Sequence, residues 1–142
     1  MELRSTLIKK RKYDQINDQI SHISIQLKNF FNDCEKGNEE KVVNYFKTHK
    51  SIKYTDILQS FKLVVEQNNV SLLSKLCDIL QDRLGYFIVY RNLLTKNAKL
   101  AAQYLYFDIV KSLIAKGAYK QDLLWHSYAI KNIKLQKIVI QL

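Results

Sequence analysis

Among its 142 residues the chain has no proline and only 3 glycines. Antiparallel sheets need tight reversals, and the turn conformations that supply them draw heavily on Gly and Pro. A chain so poor in both is expected to fold from helices joined by short polar loops, and all-α is the expected fold class. Apolar residues make up 47% and charged residues 25%, a balance that supports a folded core rather than a disordered chain. The length suits one compact domain.

No apolar run approaches the roughly 18 residues of a membrane-spanning helix. The longest, Leu84 to Tyr90, is broken by Gly85. The segment from Tyr86 to Tyr90 has strong β propensity, yet the flanking pattern through Leu93, Leu94 and Leu100 is expected to draw it into a helix. Lys9, Lys10, Arg11 and Lys12 are followed by Tyr13-Asp14-Gln15 rather than an apolar core, so no secretory signal is read. A cytoplasmic location is expected. Cys34 and Cys77 lie far apart in sequence and are expected as reduced, partly buried thiols.

The apolar spacing then defines the first helix. Tyr13, Ile16, Ile20, Ile23, Leu27, Phe30 and Cys34 follow one another at intervals of 3 and 4, which places them on one stripe. The expected element is an amphipathic helix ending near residue 36 and lying across the rest of the domain. The same spacing is a coiled-coil seam, so the chain is expected as a monomer or as a dimer through this helix.

Beyond it the pattern recurs. Gly37 is followed by an apolar residue five later, Val42, and by Tyr45 and Phe46 at eight and nine. Asn68 has Leu73, Leu76 and Cys77 at those offsets, and Leu105 has Val110, Leu113 and Ile114. Spacings of 31 and 37 residues fall among helical-repeat periods. Each unit reads as two short helices around a tight turn, with a fourth unit starting after Asp122. Thr55-Asp56 and Asp122 are the expected helix N-caps. Gly117 stands where a left-handed residue can close a helix.

Residues 100–118, LAAQYLYFDIVKSLIAKGA, resemble the centre of an ankyrin repeat. The matching positions are Ala101, Ala102, Asp108, Ile109, Val110, Lys111, Leu113, Ile114, Gly117 and Ala118. Gly37 to Val42 resembles the turn and second-helix start of another repeat. The family's T-P-L-H stretch would occupy Lys96 to Lys99, and none of its four residues is present there. The resemblance covers about residues 30–142 and implies a stack of three to four degenerate helix pairs over 37–142, with the helix of residues 1–36 packed on the array. It further implies a non-catalytic module whose inner helices and connecting loops bind a protein partner. A generic helical solenoid is the fallback. The many Lys, Ile, Asn and Tyr residues suggest an AT-rich genome, and together with the family's habits they point to a pathogen or viral protein acting on host proteins in the host cytoplasm.

Chemistry-bearing motifs are missing from the sequence. His22, His49 and His126 have no second ligand at metal spacing, no Cys-x-x-Cys occurs, and Gly37, Gly85 and Gly117 are isolated. No enzyme, metal or cofactor is expected. For partner binding the candidates are Lys53 and Tyr54, Tyr119 and Lys120, and Trp125, each near the start of an inner helix. The basic patch Lys9, Lys10, Arg11 and Lys12 is a separate candidate. The net charge of +10 is spread along the chain, so the alternative function is a basic helical nucleic-acid binder.

Overall fold

The structure is a computed structural model, and it describes residues 25–84 and 87–142. Every regular element among these residues is helical. They are α1 (25–36), α2 (Glu39–Thr48), α3 (Tyr54–Glu66), α4 (Val70–Arg83), α5 (Phe87–Gln103), α6 (Phe107–Lys116), α7 (Lys120–Ala129) and α8 (Ile133–Gln141). The β-prone stretch is resolved in favour of helix, since Phe87 to Tyr90 open α5. Of the long N-terminal stripe, Leu27 is half-buried and Phe30 and Cys34 are buried. Tyr13, Ile16, Ile20 and Ile23 lie outside the described residues.

One turn joins the helices of each pair. Gly37, Asn68, Leu105 and Lys131 all take positive φ, at 72°, 53°, 62° and 56°. At each, the left-handed residue donates its N–H three residues back and its successor donates five back. The Gly37 and Asn38 N–H groups reach the Cys34 and Asp33 carbonyls at 3.3 and 3.0 Å. Those of Leu105 and Tyr106 reach Ala102 and Ala101 at 3.1 and 2.9 Å, and those of Lys131 and Asn132 reach Tyr128 and Ser127 at 3.1 and 2.9 Å. This paired closure satisfies carbonyls that the helix end leaves open. The next helix starts at once, with Asn69 and Asn132 side chains accepting from the Leu72 and Leu135 N–H groups. Gly117 closes α6 with the same two bonds, to Ile114 and Leu113.

The expected N-caps are displaced. Lys53 and Tyr119 occupy the cap positions of α3 and α7, and neither makes a side-chain cap bond. Asp56 and Asp122 sit inside the first turns. A carboxylate there still faces the positive end of the helix dipole, so the acidic residue marks a helix start without marking its first residue.

Left-handed backbone is costly for a residue with a Cβ, about 1–2 kcal/mol. Leu105 bears that strain with its side chain 59% exposed, so little packing offsets it. Leu105→Gly is expected to raise the unfolding free energy by about 0.5–1 kcal/mol, the relieved strain less the chain entropy that glycine adds. Gly37→Ala is expected to act in the opposite direction, since its Cβ would meet the Asn69 side-chain nitrogen at 3.3 Å. Urea titration followed by circular dichroism checks both; a destabilising Leu105→Gly would refute the shared turn.

The pairs stack in sequence order into two rows. In one, α3 packs on α5 and α5 on α7; in the other, α2 packs on α4, α4 on α6 and α6 on α8. Within the first pair, the Phe30 ring stacks on Tyr45 at 4.0 Å and meets Phe46 edge-on at 5.3 Å. Val42, Leu73 and Val110, the residues five beyond successive turns, are buried between the layers. Ala98, Ala101 and Ala102 are fully buried on α5, where small side chains let neighbouring helices approach closely. Two ion pairs bridge the second row, Glu39 to Lys75 at 3.0 Å and Asp78 to Lys116 at 2.9 Å. Such pairs are partly exposed and fix register more than they add stability.

At the α7–α8 end the stacking face has no neighbour among the described residues. Tyr128 and Ile140 are 55% and 59% exposed. At the same offsets from earlier turns, Val65 and Ala102 for the first and Phe46 and Cys77 for the second are buried, and Ile114 is half-buried.

Candidate interaction groove

Because α3, α5 and α7 lie side by side, their outward faces form a continuous surface, and a groove of about 580 Å³ runs across it. Its α3 wall carries Leu58 and Lys62, its α5 wall Lys96, Lys99 and Leu100, and α7 contributes His126. Register explains the grouping. Lys62 and Lys99 stand six residues before the left-handed residues Asn68 and Leu105, so they take equivalent places on consecutive helices. Trp125 stands six before Lys131 and so holds the corresponding place on α7; it is 65% exposed.

The groove is basic. Among the described residues no Asp or Glu lines it. Lys62 is held loosely by Glu66 one turn on, at 4.0 Å, and among the described residues neither Lys96 nor Lys99 forms an ion pair. The Nε2 atom of His126 is buried without a hydrogen-bond partner among the described residues. Burial first, and the Lys99 charge second, hold the His126 imidazole below its ordinary pKa. Leu58 and Leu100 are half-buried and give the groove an apolar floor.

The residues singled out in the sequence are distributed around this surface. Lys53 caps α3 and is exposed; Tyr54 begins that helix, 41% exposed. Tyr119 caps α7 and Lys120 begins it, with Lys120 exposed and Tyr119 half-buried. The Tyr119 ring lies under the Arg91 guanidinium at 3.8 Å, and its N–H donates to Thr95 Oγ1 at 2.8 Å. Arg91 Nε also donates to the Gly117 carbonyl at 2.6 Å. Tyr119 therefore fastens α7 to α5 and leaves less surface to a partner than Tyr54 does. Both α3 and α7 pack against α5. Lys9, Lys10, Arg11 and Lys12 lie outside the described residues.

Sequence reasoning missed Lys62, Lys96, Lys99 and His126. The signal was present in the register from each turn, but it emerges only when the helices are counted back from the left-handed residue. Elsewhere, Cys34 and Cys77 are free and buried, and burial pushes each thiol up to about 12, which keeps them unreactive at neutral pH. Among the described residues no cluster of His, Cys, Asp or Glu could hold a metal ion, and no helix is long and apolar enough to cross a membrane.

No family model matches the chain, and no curated protein or solved structure matches it at a significant level.

Proposed function

We propose that this chain is a non-catalytic protein-interaction module, an α-solenoid of ankyrin-like helix pairs that binds its partner along the α3–α5–α7 face. The observation that carries the reading is the groove built from three successive helices of one row. Concave sites with an apolar floor and a few convergent polar groups are the usual form of a binding site. The exposed Trp125 at the equivalent place on α7 adds the kind of side chain that dominates interface energetics. Ankyrin likeness is supported by the motif of residues 100–118: its alanines close α5 and its D-I-V-K stretch begins α6, while the family's turn glycine is replaced by the left-handed Leu105. Composition and that likeness together make a pathogen or viral protein acting on host proteins the setting we infer.

Selection of peptides from a displayed library against the folded chain tests the reading. Enriched peptides are expected to bind with one-to-one stoichiometry, and Trp125→Ala or Leu58→Ser is expected to weaken them by at least about 1 kcal/mol, the scale of an interface residue that matters. Both residues are exposed or half-buried, so circular dichroism should be unchanged. Peptides that map instead to the α2–α4 surface around Val43 and Ile79, or no enrichment at all, would overturn it.

A further inference from the structure

Resting on that reading, we propose that the segment taken up by the α3–α5–α7 groove is an acidic stretch of a protein, with carboxylates on either side of an apolar side chain. The lining sets this chemistry. Lys62 on α3 and Lys96 and Lys99 on α5 line the groove from its two walls, together with the half-buried Leu58 and Leu100. Lys96 and Lys99 are three apart on one helix and so project from the same face. An apolar side chain seated on the two leucines would leave flanking carboxylates within reach of ammonium groups on both sides.

Charge complementarity is one-sided here, because among the described residues the groove lining supplies three lysines and no carboxylate. Lysines that line a shared groove repel one another, and among the described residues only Lys62 has a carboxylate within ion-pair distance; an acidic segment replaces that repulsion with attraction. His126 supplies an independent sign. Its buried Nε2 has no partner among the described residues, and a buried polar atom left unpaired is costly unless a ligand satisfies it. A carboxylate beside the ring would favour its protonated form, and a turn of the ring would bring the unpaired nitrogen to that carboxylate.

A nucleic acid would use the same lysines less well. Among the described residues the lining contains no arginine for forked phosphate contacts, and Trp125, the exposed aromatic of this face, stands outside the lining rather than over the lysines. The leucine floor offers nothing to a sugar–phosphate backbone. The volume, about 580 Å³, suits a few side chains of a peptide rather than the shoulder of a duplex.

The test uses the full chain and two fluorescein-labelled peptides, one with glutamates on both sides of a leucine pair and one with glutamines in their place. The glutamate peptide is expected to bind at least about ten-fold more tightly than the glutamine peptide, and the advantage should shrink with added salt. Lys96→Gln combined with Lys99→Gln should remove most of that advantage. Lys41→Gln combined with Lys137→Gln, two exposed positions on α2 and α8 with the same change of net charge, should leave it within about two-fold. Equal affinity for the two peptides, binding of neither, or an equal loss in the control pair overturns the proposal. A single-stranded oligonucleotide that binds more tightly than the glutamate peptide and is sensitive to the groove pair overturns it in favour of nucleic acid. Composition of the display-selected peptides separates the two levels. Peptides that bind this face without an acidic excess defeat the acidic assignment and leave the interaction module standing; peptides that avoid the face defeat both.

Discussion

Phe61→Ala is expected to lower the unfolding free energy by about 3–5 kcal/mol, the cost typical of emptying a buried aromatic site. Phe61 is fully buried on α3, a helix that packs against both α4 and α5. α3 is fixed by the Asn68 turn at its C-terminal end and by α4 and α5 along its length, so it cannot readily close over the vacated space and the cavity should persist. Against the roughly 5–15 kcal/mol that holds a domain of this size, the loss is large. Its form should be as telling as its size. Where each pair contacts only its neighbours, stability is a sum of units and interfaces, and a weakened central pair should uncouple the two sides. Urea unfolding is therefore expected to broaden as well as to shift, with a lower m-value. A cost under about 1 kcal/mol with an unchanged slope would mean that Phe61 does not lie at a seam between pairs.

The helices and their stacking face were legible because apolar periodicity and turn placement act locally. Gly37, Asn68 and Leu105 could be read as turns from the apolar residues five, eight and nine beyond them, and all three are left-handed. Lys131 was not legible. It is neither small nor amide-bearing, and Gln136 stands five beyond it where Val42, Leu73 and Val110 stand in the other units. The helix starts were misjudged by two to three residues because Asp56 and Asp122 stabilise a first turn from within it. The groove was harder still. Lys62, the Lys96 and Lys99 pair, and His126 are separated from one another by tens of residues, and in a chain with 23 Lys and Arg residues no single lysine is distinctive. What distinguishes them is the lateral alignment of α3, α5 and α7, a tertiary fact. Trp125 was identifiable by rarity alone, whereas Tyr119 owes its half-buried state to Arg91, which comes from a different helix.

Ala101→Leu is expected to be the most damaging conservative change on α5. Ala98, Ala101 and Ala102 are all fully buried, and α5 packs against α3, α4, α6 and α7. Replacing a methyl with an isobutyl group in such a seam forces off-rotamer side chains and backbone shifts, about 1–3 kcal/mol. The position also bears on the turn, since the Ala101 carbonyl accepts the Tyr104 and Tyr106 N–H groups at 3.1 and 2.9 Å. Pushing α5 outward would therefore disturb the Leu105 turn and the start of α6 together. It would also widen the spacing of α3 and α5, on which the two lysine-bearing walls and the leucine floor depend. A lower melting temperature and weaker capture of groove peptides should appear in the same variant. Gln103→Leu, an exposed change on the same helix beside the same turn, should stay within about 0.5 kcal/mol. If Ala101→Leu were equally silent in thermal melting, α5 would not be closely packed at its C-terminal end, and the alanines would owe their burial to loose cover rather than to a tight seam.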